Sequence, residues 1–364
     1  MSKRKVRLGF IGAGWWATAN HMPLLAQRDD VELAAVCRLG EDELQRVRQR
    51  FNIPFATESA VELVNHPRLD GVVISSPHTL HYEHARLALE HGLHVLCEKP
   101  MCTRGDHARE LVRLAREKNL HLVVPYGWHY KAFVQQAKKW IDEGSLGFVQ
   151  FAMCHMASPI RSLLQGERFL TGTADAASGQ ASRVMFEPEP TTWADPKVAG
   201  GGYGHAQLAH ITGLLFWLTG LMPQSVYCLM QAPGAQVDVY DALSVRFVGG
   251  STGTISGAGT VPPVGPGQYQ VDIRLFGTEG MLLLDCERPR VELRTHSGRV
   301  ERMEPSTTDA AYTCDGPPNN FVDLILGETN VNHAPGEVAL RSVLLLDAAY
   351  RSAASGNVES VSDA

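Results

Sequence analysis

The stretch AGGGYGHAQLAH, residues 199–210, sets Gly200, Gly201 and Gly202 before Tyr203, His205, Gln207 and His210. Three chemistries draw on such a composition. Glycines can let backbone amides reach a phosphate, histidines can hold a metal, and a histidine can move a proton at the end of a larger catalytic arrangement. A second group, Gly12, Gly14 and Ala17, forms G-x-G-x-x-A directly after the apolar run Val6 to Ile11. Small residues are needed there when the backbone turns tightly and a pyrophosphate approaches the N-terminus of a helix. At the end of the following strand an acid would suit the ribose of NAD. The chain reads AVCRLGED, so Arg38 stands in that place and suits the 2'-phosphate of NADP, while Glu41 or Asp42 could still serve NAD.

These groups need elements to carry them. The run 6–11 followed by Trp16, Met22 and Leu25 at helical spacing predicts strand, turn and helix. Apolar runs at 33–38, 70–77, 94–99 and 121–127 predict more strands, with helices over 41–52, 58–66, 80–92 and 106–119. An alternation of this kind with fully apolar strands predicts a parallel sheet covered on both faces. After about residue 125 the pattern changes to short runs at 146–156, 225–233, 241–249, 253–261, 269–277 and 280–286, which predict a meander with one covered face.

Composition excludes several partners. With 364 residues the chain exceeds what one core usually holds, so two domains are expected. A net charge of -6 gives no electrostatic reason for nucleic acid or an acidic membrane surface. Seven scattered cysteines without a Cys-x-x-Cys pair suit reduced thiols and a cytoplasmic location. MSKRK runs straight into a glycine-broken segment, so no export is expected, and ITGLLFWLTGLM at 211–222 is too short for a membrane span. His78, His81 and His84, like His205 and His210, lack the spacing and acid of a zinc helix, so no metal is expected.

The run DGVVISSPHTLHYEHARLALEHGLHVLCEKP, 70–100, carries Pro77, His81, Ala85, Gly92 and Glu98-Lys99-Pro100. With the G-x-G-x-x-A start, the glycine triplet and the ending LLLDAAYRSAASGNVESV, it resembles the glucose-fructose oxidoreductase, inositol dehydrogenase and rhizopine-catabolism (Gfo/Idh/MocA) superfamily of NAD(P)-dependent sugar and polyol dehydrogenases. The resemblance implies an α/β fold: an N-terminal Rossmann dinucleotide-binding domain over 1–125 and a C-terminal α+β domain over 126–364 with a large, mostly antiparallel open sheet. It further implies NADP or NAD as cofactor, contacts from Gly12, Gly14, Trp15, Trp16, Ala17, Arg38, Ser76, Pro77, His81, Glu98 and Lys99, and a homodimer or homotetramer.

In the resembling family the glycine triplet leads into a helix bearing an aspartate and, four residues later, a histidine. His210 matches the histidine, whereas Ala206 stands in the place of the aspartate. Hydride transfer between a carbinol carbon and a nicotinamide must be matched by proton movement on the oxygen, which a desolvated lysine or a histidine can handle near neutrality. Lys99 and His210 are therefore expected to move the proton, with Gln207, three residues before His210, positioning substrate. Tyr203 lies seven residues before His210, about two turns along the same side, and His205 is the poorer partner. Outside its Glu-Lys-Pro context Lys99 would read as a surface lysine, and His210 could instead be a core histidine.

Of Trp15 and Trp16, one is expected to pack inward and the other to wall the cleft. Segments 159–169 and 188–197 read as loops over its mouth, and Trp193 and His129 as groups that stack on or hydrogen-bond a sugar ring. The expected function is an NAD(P)-dependent oxidoreductase acting on a secondary alcohol or ketone of a sugar, cyclitol or sugar derivative. Two alternatives stand beside it: an internally recycled cofactor used for sugar hydrolysis, elimination or epimerisation, and a non-catalytic cofactor-binding sensor.

Overall fold

Six strands, apolar for the most part, begin the computed structural model, which describes residues 4–168, 184–261 and 269–361. They are β1 (Val6–Ile11), β2 (Val31–Cys37), β3 (Phe55–Thr57), β4 (Gly71–Ile74), β5 (His94–Cys97) and β6 (Leu122–Val123). They pair in the order β3-β2-β1-β4-β5-β6, all parallel. Every residue of β4 is buried, as a strand covered on both faces requires. The helix Gly105–Glu117 supplies part of that cover by burying Ala108, Leu111, Val112 and Ala115, one face at i, i+3, i+4 and i+7. Strand order reverses between β1 and β4, and a crevice opens beyond their carboxyl ends, the place where open α/β sheets take ligands.

The second sheet holds β7 (Val149–Ala157), β8 (Pro223–Gln231), β9 (Tyr240–Phe247), β10 (Thr252–Ala258), β11 (Gln270–Gly277), β12 (Gly280–Asp285), β13 (Arg290–Thr295), β14 (Val300–Met303) and β15 (Glu359–Ser360). Its order is β14-β13-β12-β11-β7-β10-β9-β8-β15. Strand β9 alternates buried and exposed residues, so one face is covered. The meander expected from the sequence is broken at one point, where β7 sits between β11 and β10 and runs parallel to β10. Ala152, Cys154 and Met156 of β7 are buried there, and a strand met long before its neighbours in the chain gains partners on both edges by taking the centre.

The helices Ala132–Asp142, Ala209–Thr219 and Gly336–Ser355 pack on this sheet. Ala209–Thr219 is apolar nearly all round and buried at nine of its positions, which carries His210 into the interior. The C-terminal part also crosses back onto the first sheet. Val124 donates to Ala334 O at 2.9 Å, and Arg28 pairs with Asp323 at 2.8 Å. Among the described residues no helix is long and apolar enough to cross a membrane.

Candidate active site

A cleft of about 2100 Å³ lies over the strand-order reversal and is walled by both parts of the chain. That is at least twice the roughly 300–1000 Å³ of a pocket for one small molecule, so it has room for a dinucleotide and a second ligand together. Gly12 begins its floor with φ +84°, and a Cβ there would stand 2.4 Å from Ser76 N, so only glycine fits.

Lys99 follows β5 at the inner end of the cleft. Its side-chain Nζ donates to Ala206 O at 3.1 Å and stands 6.0 Å from the Trp16 ring centre. Burial pushes its pKa down, and Glu98 and Cys314 push back. Burial raises the Glu98 carboxyl, but His21, Lys99 and Trp16 outweigh burial and hold it below the usual carboxylate range. The geometry agrees: Trp16 Nε1 donates to Glu98 Oε1 at 2.7 Å, and His21 Nε2 lies 2.7 Å from the same oxygen. Glu98 therefore serves as the charged seat of Lys99, with its oxygens taken up inside the protein.

The glycine triplet answers to packing and not to phosphate. Asp238, on the turn before β9, accepts from Gly202 N with Oδ1 and from Gly204 N with Oδ2, both at 2.7 Å. A Cβ on Gly202 would stand 2.1 Å from Asp238 O. Gly204–Leu208 then forms a π-helical turn before the α-helix Ala209–Thr219; such widened turns recur at functional sites. The turn aims the Ala206 carbonyl at Lys99, so the position that lacks the expected acid contributes a main-chain acceptor. Gln207 and His210 both line the cleft.

Burial, with Lys99 and His129 adding to it, drives His210 well below the ordinary histidine pKa. The imidazole is neutral near pH 7, which corrects the expectation that it titrates there. His205 turns instead toward Tyr350, with ring centres 4.4 Å apart.

The dinucleotide end fits the group that the glycine turn implies. A Cβ at Gly14 would meet nothing nearer than Arg38 Nη1 at 4.0 Å, leaving open space above the turn. Arg38 extends from the end of β2 and donates through Nη1 to Ala13 O at 2.9 Å, while its buried Nε has no partner among the described residues. Ser76 and Pro77 line the same wall. Ala17 is buried, where a small side chain lets the turn pack on the sheet. Trp15 and Trp16 both stay half-buried and wall the cleft together, edge to face at 5.4 Å, so neither takes the inward place expected for one of them.

Other expected residues are placed differently. Tyr203 is fully buried and donates to Met156 O at 3.1 Å, because the π-helical turn breaks the 3.6-residue phase that would align it with His210. His129 is buried as well, stacked on Trp217 at 4.6 Å with Nδ1 2.8 Å from His333 O, and burial lowers its pKa to about 3. Neither lines the cleft. His81 reaches its wall but spends both ring nitrogens as a strut, 2.7 Å from Pro100 O and 2.7 Å from Ser76 O. Trp193 does line the cleft, edge to face with His78 at 6.0 Å. The segments read as mouth loops contain helical turns at Arg161–Leu164, Thr191–Ala194 and Pro196–Ala199, and Phe169 lies outside the described residues. Asp238, Phe186, Tyr269 and Tyr312 were not singled out from the sequence; each lies in a segment without a spacing signal, and only the fold brings them to this cleft or beneath it.

Two family models match most of the chain. The Gfo/Idh/MocA model described as an oxidoreductase family with an NAD-binding Rossmann fold matches residues 6–126, and the Gfo/Idh/MocA C-terminal domain matches 134–283. The chain belongs to the Gfo/Idh/MocA oxidoreductase family. Among relatives, it is 32% identical over 149 residues to the D-glucoside 3-dehydrogenase of Escherichia coli (strain K12), covering 40% of this chain and 42% of that protein. It is 24% identical over 267 residues to the scyllo-inositol 2-dehydrogenase (NADP(+)) IolW of Bacillus subtilis (strain 168), covering 73% of this chain and 66% of that protein. The chain thus spans less than half of the first relative and about two thirds of the second. A solved levoglucosan dehydrogenase, in complex with NADH and levoglucosan, shares the fold with a TM-score of 0.76 at 18% identity over 98% of this chain and 100% of that one.

Proposed function

We propose that this Gfo/Idh/MocA chain transfers a hydride between NADP(H) and a secondary alcohol or ketone of a sugar, cyclitol or sugar derivative. The observation that carries the reading is convergence: Gly12, Gly14, Lys99, Gln207 and His210 line one cleft although they come from distant parts of the chain. Bound along the glycine turn, the dinucleotide would supply the nicotinamide that accepts or returns the hydride. Lys99, buried and hydrogen-bonded to Ala206 O, takes up the proton of the reacting hydroxyl when its amine is neutral, and returns it in the reverse direction. Neutral His210 and Gln207 orient the oxygen by hydrogen bonds, and the face of Trp193 suits the C–H side of a sugar ring. The names of the relatives, a glucoside, an inositol and an anhydrosugar dehydrogenase, agree in a polyhydroxylated ring.

In this reading residues 1–125 form the dinucleotide-binding domain and 126–364 the substrate-binding and oligomerisation domain of a cytoplasmic homodimer or homotetramer. Arg38 favours NADP over NAD. Incubating the protein with NADP and NADPH across sugars, keto sugars and inositols tests it, with nicotinamide absorbance and product mass followed together. A steady absorbance change with a two-hydrogen mass shift is expected. Product formed without net absorbance change, or silence in both channels, overturns it.

A further inference from the structure

Phe186 belongs to the segment that leads from the described start at Val184 toward the helical turn Thr191–Ala194, far in sequence from the dinucleotide half. Its ring nevertheless lies against the far end of the cofactor cleft. The Arg38 guanidinium carbon stands 4.1 Å from the ring centre and that of Arg46 5.1 Å. Arg46 Nη2 also donates to Met185 O at 3.4 Å, beside Phe186 in the chain. One phenyl ring thus gathers two cations that would otherwise repel each other.

A guanidinium stacked on an aromatic face keeps its N–H edge free for an oxyanion. Arg38 shows that state: Nη1 is tied to Ala13 O, the face is covered by Phe186, and the buried Nε has no partner among the described residues. Of the acids at this end, Glu58 is engaged by the backbone, while Glu43 lines the cleft near Arg38. Glu58 Oε1 accepts from Gly40 N at 2.6 Å, and Glu43 Oε2 lies 2.7 Å from where a Cβ of Gly40 would stand. A phosphate monoester finds two cations gathered in that arrangement.

We propose that Arg38 and Arg46 form a clamp for the 2'-phosphate of NADP(H), and that Phe186, supplied by the substrate half of the chain, is the residue that holds the clamp and sets the preference for the phosphorylated cofactor. The inference rests on the NADP reading above and adds Phe186 and Arg46 to it.

Fluorescence titration of the full chain tests it, using NADPH and NADH together with adenosine 2',5'-bisphosphate and 5'-AMP as fragments. Phe186→Ala is expected to weaken NADPH and the bisphosphate roughly three- to thirty-fold, the span of an aromatic–guanidinium contact, and to leave NADH and 5'-AMP unchanged. Phe186→Tyr, which keeps the ring, should bind all four as the parent does. Arg46→Gln, an exposed change that does not threaten folding, should repeat the selective loss. Equal weakening of both cofactors, or no weakening, in Phe186→Ala and Arg46→Gln overturns the clamp. A parent protein that binds NADH more tightly than NADPH overturns the NADP reading itself, and Arg38→Ala separates the two, since it should abolish the preference even where Phe186 proves inert.

Discussion

The amine of Lys99 is hydrogen-bonded to the main-chain carbonyl of Ala206 at 3.1 Å. An acid side chain at that position would hold the lysine charged; a carbonyl orients it while adding no full charge. Lys99 is left with Glu98 as its nearby carboxylate and with burial working against its proton.

Replacing Lys99 with alanine should therefore lower kcat by roughly 10²- to 10⁴-fold, the usual worth of a positioned proton acceptor. Dissociation constants for NADPH, measured by fluorescence, should stay within about twofold. An unimpaired kcat would remove Lys99 from the chemistry.

The pH profile separates Lys99 from His210. Alcohol oxidation needs neutral Lys99, so kcat/KM should rise with pH along a limb centred below the ordinary lysine value, because burial lowers that pKa. Glu98 favours the charged amine, so Glu98→Gln should move the limb to lower pH. His210 is already neutral there, so His210→Gln should lower the rate and leave the limb in place. A limb that vanishes in His210→Gln would assign it to the histidine.

Below the glycine triplet, Asp241 is buried, and neither of its oxygens has a hydrogen-bond donor among the described residues. Burial first, and then the nearby Asp238, raise its pKa well above the ordinary value. A carboxyl whose folded pKa is raised costs no stability below its unfolded pKa of about 3.9, and costs increasing stability as pH climbs above it. Asp241→Asn supplies a donor without the charge. It should raise Tm at pH 7 to 8, with the gain fading toward pH 4; a gain that is the same at both ends would point to packing alone.

Two substitutions should distinguish the cleft wall from the core. Tyr203→Phe loses the bond to Met156 O and should cost about 1 kcal/mol of stability in urea titrations, with kcat and KM unchanged. Trp193→Ala, on the cleft wall, should raise KM for substrate several-fold at little cost in Tm. Exchange of those two outcomes would place the substrate on the other side of the helix.

The dinucleotide half was legible in the sequence because its signals are local: apolar runs, helical spacing and a glycine turn within the first strand-to-helix junction. The places of Lys99 and His210 on the cleft wall were also legible, since each sits in a short motif. Tyr203 and His129 were misplaced for different reasons. Regular 3.6-residue phase was assumed for Tyr203, and the π-helical turn Gly204–Leu208 breaks it; His129 is drawn under Trp217 by a contact across many residues. Asp238 was not visible at all, because its partners Gly202 and Gly204 lie more than thirty positions earlier and the bond depends on how the turn before β9 folds back. The central place of β7 escaped for the same reason, as pairing order in a sheet is not written in the alternation of its strands.

The return of the C-terminal part to the first sheet bears on how the chain is made. Phe321, in the helix Gly316–Leu326, reaches within 3.0 Å of where a Cβ of Gly71 on β4 would stand. That helix leaves the ribosome roughly 190 residues after β6, a delay of about 10–40 s at ordinary elongation rates. Until that helix emerges, the nascent dinucleotide half therefore waits with part of its apolar sheet uncovered.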